Sequence, residues 1–128
     1  MFLGNESKIR EVSMKFGIVG SSSLMSYERF ERYLSHFSIN GRDTIVAGNC
    51  PSGSDKLAER YAKEHKLELE IVPTEWTVYQ STALIRRNIN LAEKCDFVLF
   101  LCDYKAREYG SITRFCVNLK VPFSVMFW

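Results

Sequence analysis

Residues 44–65 read TIVAGNCPSGSDKLAERYAKEH. Thr44 to Gly48 is a short run of β-branched and small apolar residues, the pattern of a buried strand. The last dozen residues follow a helical period. Leu57, Ala58, Tyr61 and Ala62 fall on one face, and Lys56, Glu59, Arg60, Lys63 and Glu64 on the other. Glu59 and Lys63 stand at a favourable i,i+4 spacing. Asn49, Cys50, Pro51, Ser52, Gly53 and Ser54 join the two segments and are almost all small or turn-forming. A strand that passes through so short a link into a helix is half of a βαβ unit.

The same alternation continues in both directions. Phe16–Gly20, Leu67–Val72, Phe97–Cys102 and Phe123–Phe127 are further short runs rich in Val, Ile and Phe. After the first of them, Tyr27, Phe30, Leu34 and Phe37 form a helical stripe, with Ser26 placed to cap it. A third helix is expected over about Thr82–Lys94, burying Ile85, Ile89 and Ala92. A fourth, after Gly110, is expected to bury Ile112, Phe115, Cys116 and Leu119. Five strands alternating with four helices predict an α/β fold. The expected form is a three-layer αβα Rossmann-like sandwich on a mostly parallel five-stranded sheet.

At 128 residues the chain has the length of one domain, with residues 1–14 read as a flexible leader or N-terminal extension and 15–128 as the domain. Hydrophobic residues make up 46% and charged residues 25%, which is ordinary for a globular protein and argues against disorder. The formal charge of +2 is too small for a nucleic-acid footprint by itself. Cys50, Cys95, Cys102 and Cys116 form no CxxC pair and have no His at ligand spacing. They are expected to be reduced core residues of a cytoplasmic protein without a metal site. No apolar run is long enough to span a bilayer, and MFLGNESKIREVS lacks the apolar centre of a signal peptide.

In parallel α/β sheets, ligands bind beyond the carboxyl ends of the strands, near the point where strand order reverses. Three loops expected there are alike. They are GSSSLMS (20–26), GNCPSGSD (48–55) and the segment ending YGSIT (109–113), each combining Gly and Ser before a helix. A helix start offers unpaired N–H groups and positive potential to an anion, and Gly lets main chain approach it closely. Alternatively, Ser52 and Asp55 form a capping box that serves only the helix. No spaced-glycine dinucleotide fingerprint and no Gly-Lys-Ser/Thr loop is present, which argues against a P-loop ATPase. Arg86 and Arg87 are either charge partners of a bound anion or a solvated patch.

These pieces resemble a known family. GIVGSSSL, the 44–65 stretch, PTEW at 73–76, RRN at 86–88, KCDFVLF at 94–100 and GSIT at 110–113 are similar, in order and spacing, to the SLOG superfamily and its YspA/YpsA-related group. The resemblance covers about Lys15 to Met126. It implies binding or sensing of a nucleotide or nucleotide-derived small molecule at the strand ends; no cofactor is expected. Carried over residue by residue, it implies ligand contacts at Gly20, Ser21, Ser22, Gly48, Ser52, Gly53, Asp55, Arg87, Asn88, Gly110 and Ser111. Trp76 would either stack on a base or pack into the core. Related LOG phosphoribohydrolases carry a catalytic Glu, and at the matching place this chain has Arg114. Glycosidic cleavage needs such a carboxylate, so hydrolysis is the alternative reading, with Asp55 the best catalytic candidate and Glu75, Asp103 and Glu108 behind it. QSTAL at 80–84 also departs from the Gly-containing stretch of relatives. A DprA-like single-stranded DNA binder is the third reading, opposed by the near-neutral charge. The final VPFSVMFW suggests an edge strand whose exposed Phe127 and Trp128 are covered in a homodimer or larger assembly.

Overall fold

The structure, a computed structural model, describes residues 12–20, 24–102, 114 and 116–127. Five strands, β1 (Lys15–Gly20), β2 (Thr44–Ala47), β3 (Glu68–Ile71), β4 (Phe97–Cys102) and β5 (Phe123–Phe127), form one sheet in the order β3-β2-β1-β4-β5. Every pairing is parallel, with Phe16 opposite both Ile45 and Phe97, and Leu99 opposite Ser124. The chain steps outward from β1 to β3, then returns to the other side of β1 to lay down β4. Strand order therefore reverses between β1 and β4, and the crevice of such a sheet opens at their carboxyl ends.

Strands of a sheet covered on both faces must be apolar on both, and β1, β2 and β4 are. Phe16, Ile18, Ile45, Ala47, Leu99 and Leu101 point to one face, under α1 (Tyr27–Leu34) and α2 (Ser54–Glu64). Phe30 of α1 is fully buried there, edge-on to Tyr61 of α2 with ring centroids 5.9 Å apart. Truncating such a ring costs about 3–5 kcal/mol. Val19, Val46, Val98 and Phe100 point to the other face, under Leu91, Ala92 and Cys95 of α4 (Ala83–Lys94) and under Cys116. Gly17 lets α4 approach β1 closely, since a Cβ there would lie 2.6 Å from Leu91 Cδ2 and 2.7 Å from Cys95 Sγ. These are the three layers expected, with the sheet wholly rather than mostly parallel.

The strand entry is tied by a residue the sequence did not single out. Asp43 is completely buried, and its carboxylate accepts from Met14 N and Asn40 N, both at 2.9 Å. Met14 itself packs against the core under α1 and α2. All four cysteines are free thiols, three of them buried. Among the described residues no helix is long and apolar enough to cross a membrane.

Several local expectations are corrected. A short helix α3 (Trp76–Tyr79) and a 3-10 turn (Gln80–Thr82) precede α4, and β3 ends at Ile71. In α4 the inward positions are Ala83, Arg87, Asn88, Leu91 and Ala92, so Ile85 is turned out, 48% exposed, and Ile89 is half-buried. Arg87 takes the inward direction at its height on the helix, which leaves Ile85 nearly opposite. Leu119 is 40% exposed, because its helix closes there: Val121 N bonds back to Cys116 O, and Lys120 takes a left-handed φ of 59°. Glu59 pairs with Lys56 at 2.7 Å rather than with Lys63, and Arg60 pairs with Glu64 at 2.7 Å. The leader up to residue 11, Ser21, Ser22, Asp103, Glu108, Gly110, Ser111, Ile112, Phe115 and Trp128 lie outside the described residues.

Candidate functional site

The link between β2 and α2 has a specific occupant. Gly48 follows the last residue of β2, and a Cβ added there would sit 1.5 Å from Arg87 Nη1 and 2.6 Å from Asp55 Oδ2. Arg87 belongs to α4 in one helical layer and Asp55 to α2 in the other. Their side chains meet across the carboxyl end of β2, Nη1 donating to Oδ2 at 3.1 Å, each 5% exposed. Arg87 Nε donates to Asn88 Oδ1 at 2.7 Å. The junction is bare at Gly48 because a guanidinium occupies the space where a side chain would be.

Asp55 also organises the link itself. Oδ1 accepts from Gly48 N at 3.2 Å and Oδ2 from Cys50 N at 3.0 Å. A buried carboxylate that accepts from two amides and a guanidinium is a stable arrangement, and it would be costly to break from either side. The capping box is not formed. Gly53 is the N-cap of α2, with φ 75° and no side-chain cap bond, and Ser52 is exposed. Gly53 adopts a backbone conformation that other residues reach only under strain. Asn49 reaches to the next link, its Oδ1 accepting from Thr74 N at 3.3 Å.

Nearer the switch point, Gly20 ends β1 beside β4. A Cβ at Gly20 would lie 2.7 Å from Leu101 O and 2.9 Å from Ser54 Cβ. Ser54, the first residue of α2, is 2% exposed, and its hydroxyl makes no hydrogen bond among the described residues. It was not among the residues singled out from sequence. Read as one more turn residue in PSGSD, it carried no signal until the fold brought α2 against the end of β1. Gly20, Gly53 and Ser54 thus converge at the crevice, with α2 directing its amino terminus toward it.

The structure therefore divides the predicted residues. Gly48, Asp55, Arg87 and Asn88 form one buried network, and Gly20 and Gly53 border the crevice beside Ser54. Arg86, the other half of the two-Arg pair, is exposed and lies over the Tyr79 ring at 4.9 Å from its centroid. Trp76 opens α3 just beyond β3, and the stacking expected of it concerns a side chain outside the description. Glu75 is exposed. Arg114 is helical and exposed. Among the described residues no His, Cys, Asp and Glu cluster could hold a metal ion.

Comparison with known proteins adds no relative to this geometry: no protein-family model, no curated protein and no solved structure matches the chain.

Proposed function

We propose that the protein binds a nucleotide or nucleotide-derived small molecule at the carboxyl ends of β1, β2 and β4, without turning it over. The observation that carries this reading is the position of Gly20 at the carboxyl end of β1, beside the strand-order reversal of a parallel sheet, with Gly53 at φ 75° leading into the amino terminus of α2. Glycine main chain and a helix amino terminus suit a phosphate or ribose oxygen.

Binding is favoured over hydrolysis by the state of Asp55. A general acid or base must come within hydrogen-bond reach of the reacting group. Both oxygens of Asp55 are committed inside the fold to Gly48, Cys50 and Arg87, and the residue is 5% exposed. Asp55 is thus a positioning residue that sets the link and holds Arg87.

The test is a thermal-shift screen against nucleoside monophosphates, ADP-ribose, NAD and cyclic nucleotides, followed by mass spectrometry of each mixture. A ligand at a hundred times its Kd adds about 2.7 kcal/mol, a rise of several degrees for a domain of this size. Stabilisation with the ligand intact is the expected result. Stabilisation with products appearing would favour the hydrolase, and no stabilisation by any of them would overturn both readings.

A further inference from the structure

The side of α4 turned away from the sheet carries an ordered pattern. The inward residues of this helix are Ala83, Arg87, Asn88, Leu91 and Ala92. On the outer side, Ile85, Ile89, Glu93 and Arg86 fall in that order across an arc of about 100°. Ile85 is 48% exposed, Ile89 is half-buried, and Arg86 and Glu93 are exposed. A single exposed isoleucine is ordinary for a protein surface. Here two stand one turn apart, and beside them a cation and an anion stand two turns apart.

Neither charge is satisfied within the fold. Arg86 and Glu93 make no side-chain ion pair among the described residues, whereas the other charged side chains of α4, Arg87 and Lys94, pair with Asp55 and Glu70. The Arg86 guanidinium lies over the Tyr79 ring, 4.9 Å from its centroid, a contact that restrains it without neutralising it.

The pattern is self-complementary. Arg86 and Glu93 lie equally far on either side of a point between Ile89 and Asn90. A two-fold axis through that point, perpendicular to the helix, sets two copies of α4 antiparallel. It brings Ile89 against its own copy and each Arg86 opposite the partner's Glu93, the reciprocal pairing that a two-fold interface requires.

We propose that a second copy of this chain docks on this stripe, forming a symmetric dimer through antiparallel α4 helices. A partner carrying one sign of charge is the less suitable occupant, because it would leave either Arg86 or Glu93 facing its like. One helix pair is small beside a permanent interface, so dimer and monomer should exchange. The inference stands independently of the nucleotide reading.

The experiment is sedimentation equilibrium of the full chain over a concentration series. Arg86→Glu and Glu93→Arg are exposed changes between helix-favouring residues, and far-UV circular dichroism checks that each variant keeps the fold. The unsubstituted chain should dimerise. Each single variant should dimerise about tenfold more weakly or worse, because like charges then face one another at both ends of the contact. Association should return when both substitutions are placed in one chain. It should also return when the two single variants are mixed, since their heterodimer has opposite charges at both ends. A monomer at every concentration would overturn the proposal and leave the stripe to a different chain. So would a dimer that neither variant weakens, or single variants whose mixture stays monomeric, which would place the defect within each chain.

Discussion

Asp55 and Arg87, 32 residues apart in the chain, meet at 3.1 Å over Gly48, joining α2 on one face of the sheet to α4 on the other. This contact fixes the link that follows β2 and positions the first turn of α2 beside Gly20. Its energetics are open to direct measurement.

Removing one partner should be unequal in cost. Asp55→Ala leaves a buried guanidinium unpaired and orphans the amides of Gly48 and Cys50, so a loss of about 3–5 kcal/mol in urea unfolding is expected. Arg87→Met leaves Asp55 its two amide donors and should cost distinctly less. Equal losses would show that the amide bonds contribute nothing.

Gly48→Ala places a methyl where Arg87 Nη1 lies. Because the guanidinium is held by both Asp55 and Asn88, it cannot swing aside freely, and overpacking of this kind costs about 1–3 kcal/mol. Arg87→Ala removes the obstacle, so the two substitutions should be less than additive in a double-mutant cycle. Strict additivity would contradict the steric account of Gly48.

The exposed ion pairs should behave in the opposite way. Glu70 receives Lys15 at 2.8 Å and Lys94 at 3.3 Å, which lowers its pKa, chiefly through the Lys15 hydrogen bond. Since all three side chains are substantially exposed, Glu70→Ala should change stability by no more than about 1 kcal/mol, and by less at high salt. A larger loss would place the network among the main supports of the fold.

Alkaline pH supplies another test. Burial pushes the Cys95 thiol from its ordinary 9.0 up to about 12, and burial with nearby Glu31 and Glu64 pushes Tyr27 from 10.0 to about 12. Both groups hold their protons more tightly in the folded chain. Their contribution to stability is therefore fully present below the unfolded values and is lost as pH rises through about 9 to 12. Cys95→Ala should flatten the first part of that decline in melting temperature. Parallel profiles for the two proteins would show that the thiol is not responsible.

The strands were legible in the sequence because each is a short apolar run whose residues serve two covered faces, and the helices because their buried residues recur at helical spacing. Tyr61 and Ala62 illustrate this, as does the cap of α1, where Ser26 Oγ accepts from Arg29 N at 3.3 Å. Ile85 misled for a physical reason. An apolar residue was expected inward, but the inward place at that level of α4 belongs to Arg87, which is buried only because Asp55 faces it. Such a pairing depends on two elements 32 residues apart and leaves no local pattern. Ser54 and Asp43 were missed likewise, since each looks like a turn residue until a distant strand is laid beside it. For the candidate site, the sequence reading set Gly20, Gly48 and Gly53 at the carboxyl ends of the strands, where the structure has them. It did not separate the residues that build the link from those that border the crevice.

The most direct test of ligand binding at the strand ends is to follow the amide resonances of isotope-labelled protein while ADP-ribose and nucleoside monophosphates are titrated in. The account predicts saturable shifts at Gly20, Gly53, Ser54 and Asp55, with Lys15 and Thr44 at the opposite ends of their strands unmoved. Saturable shifts confined to those opposite ends, or no saturable shift with any of these compounds, would contradict it.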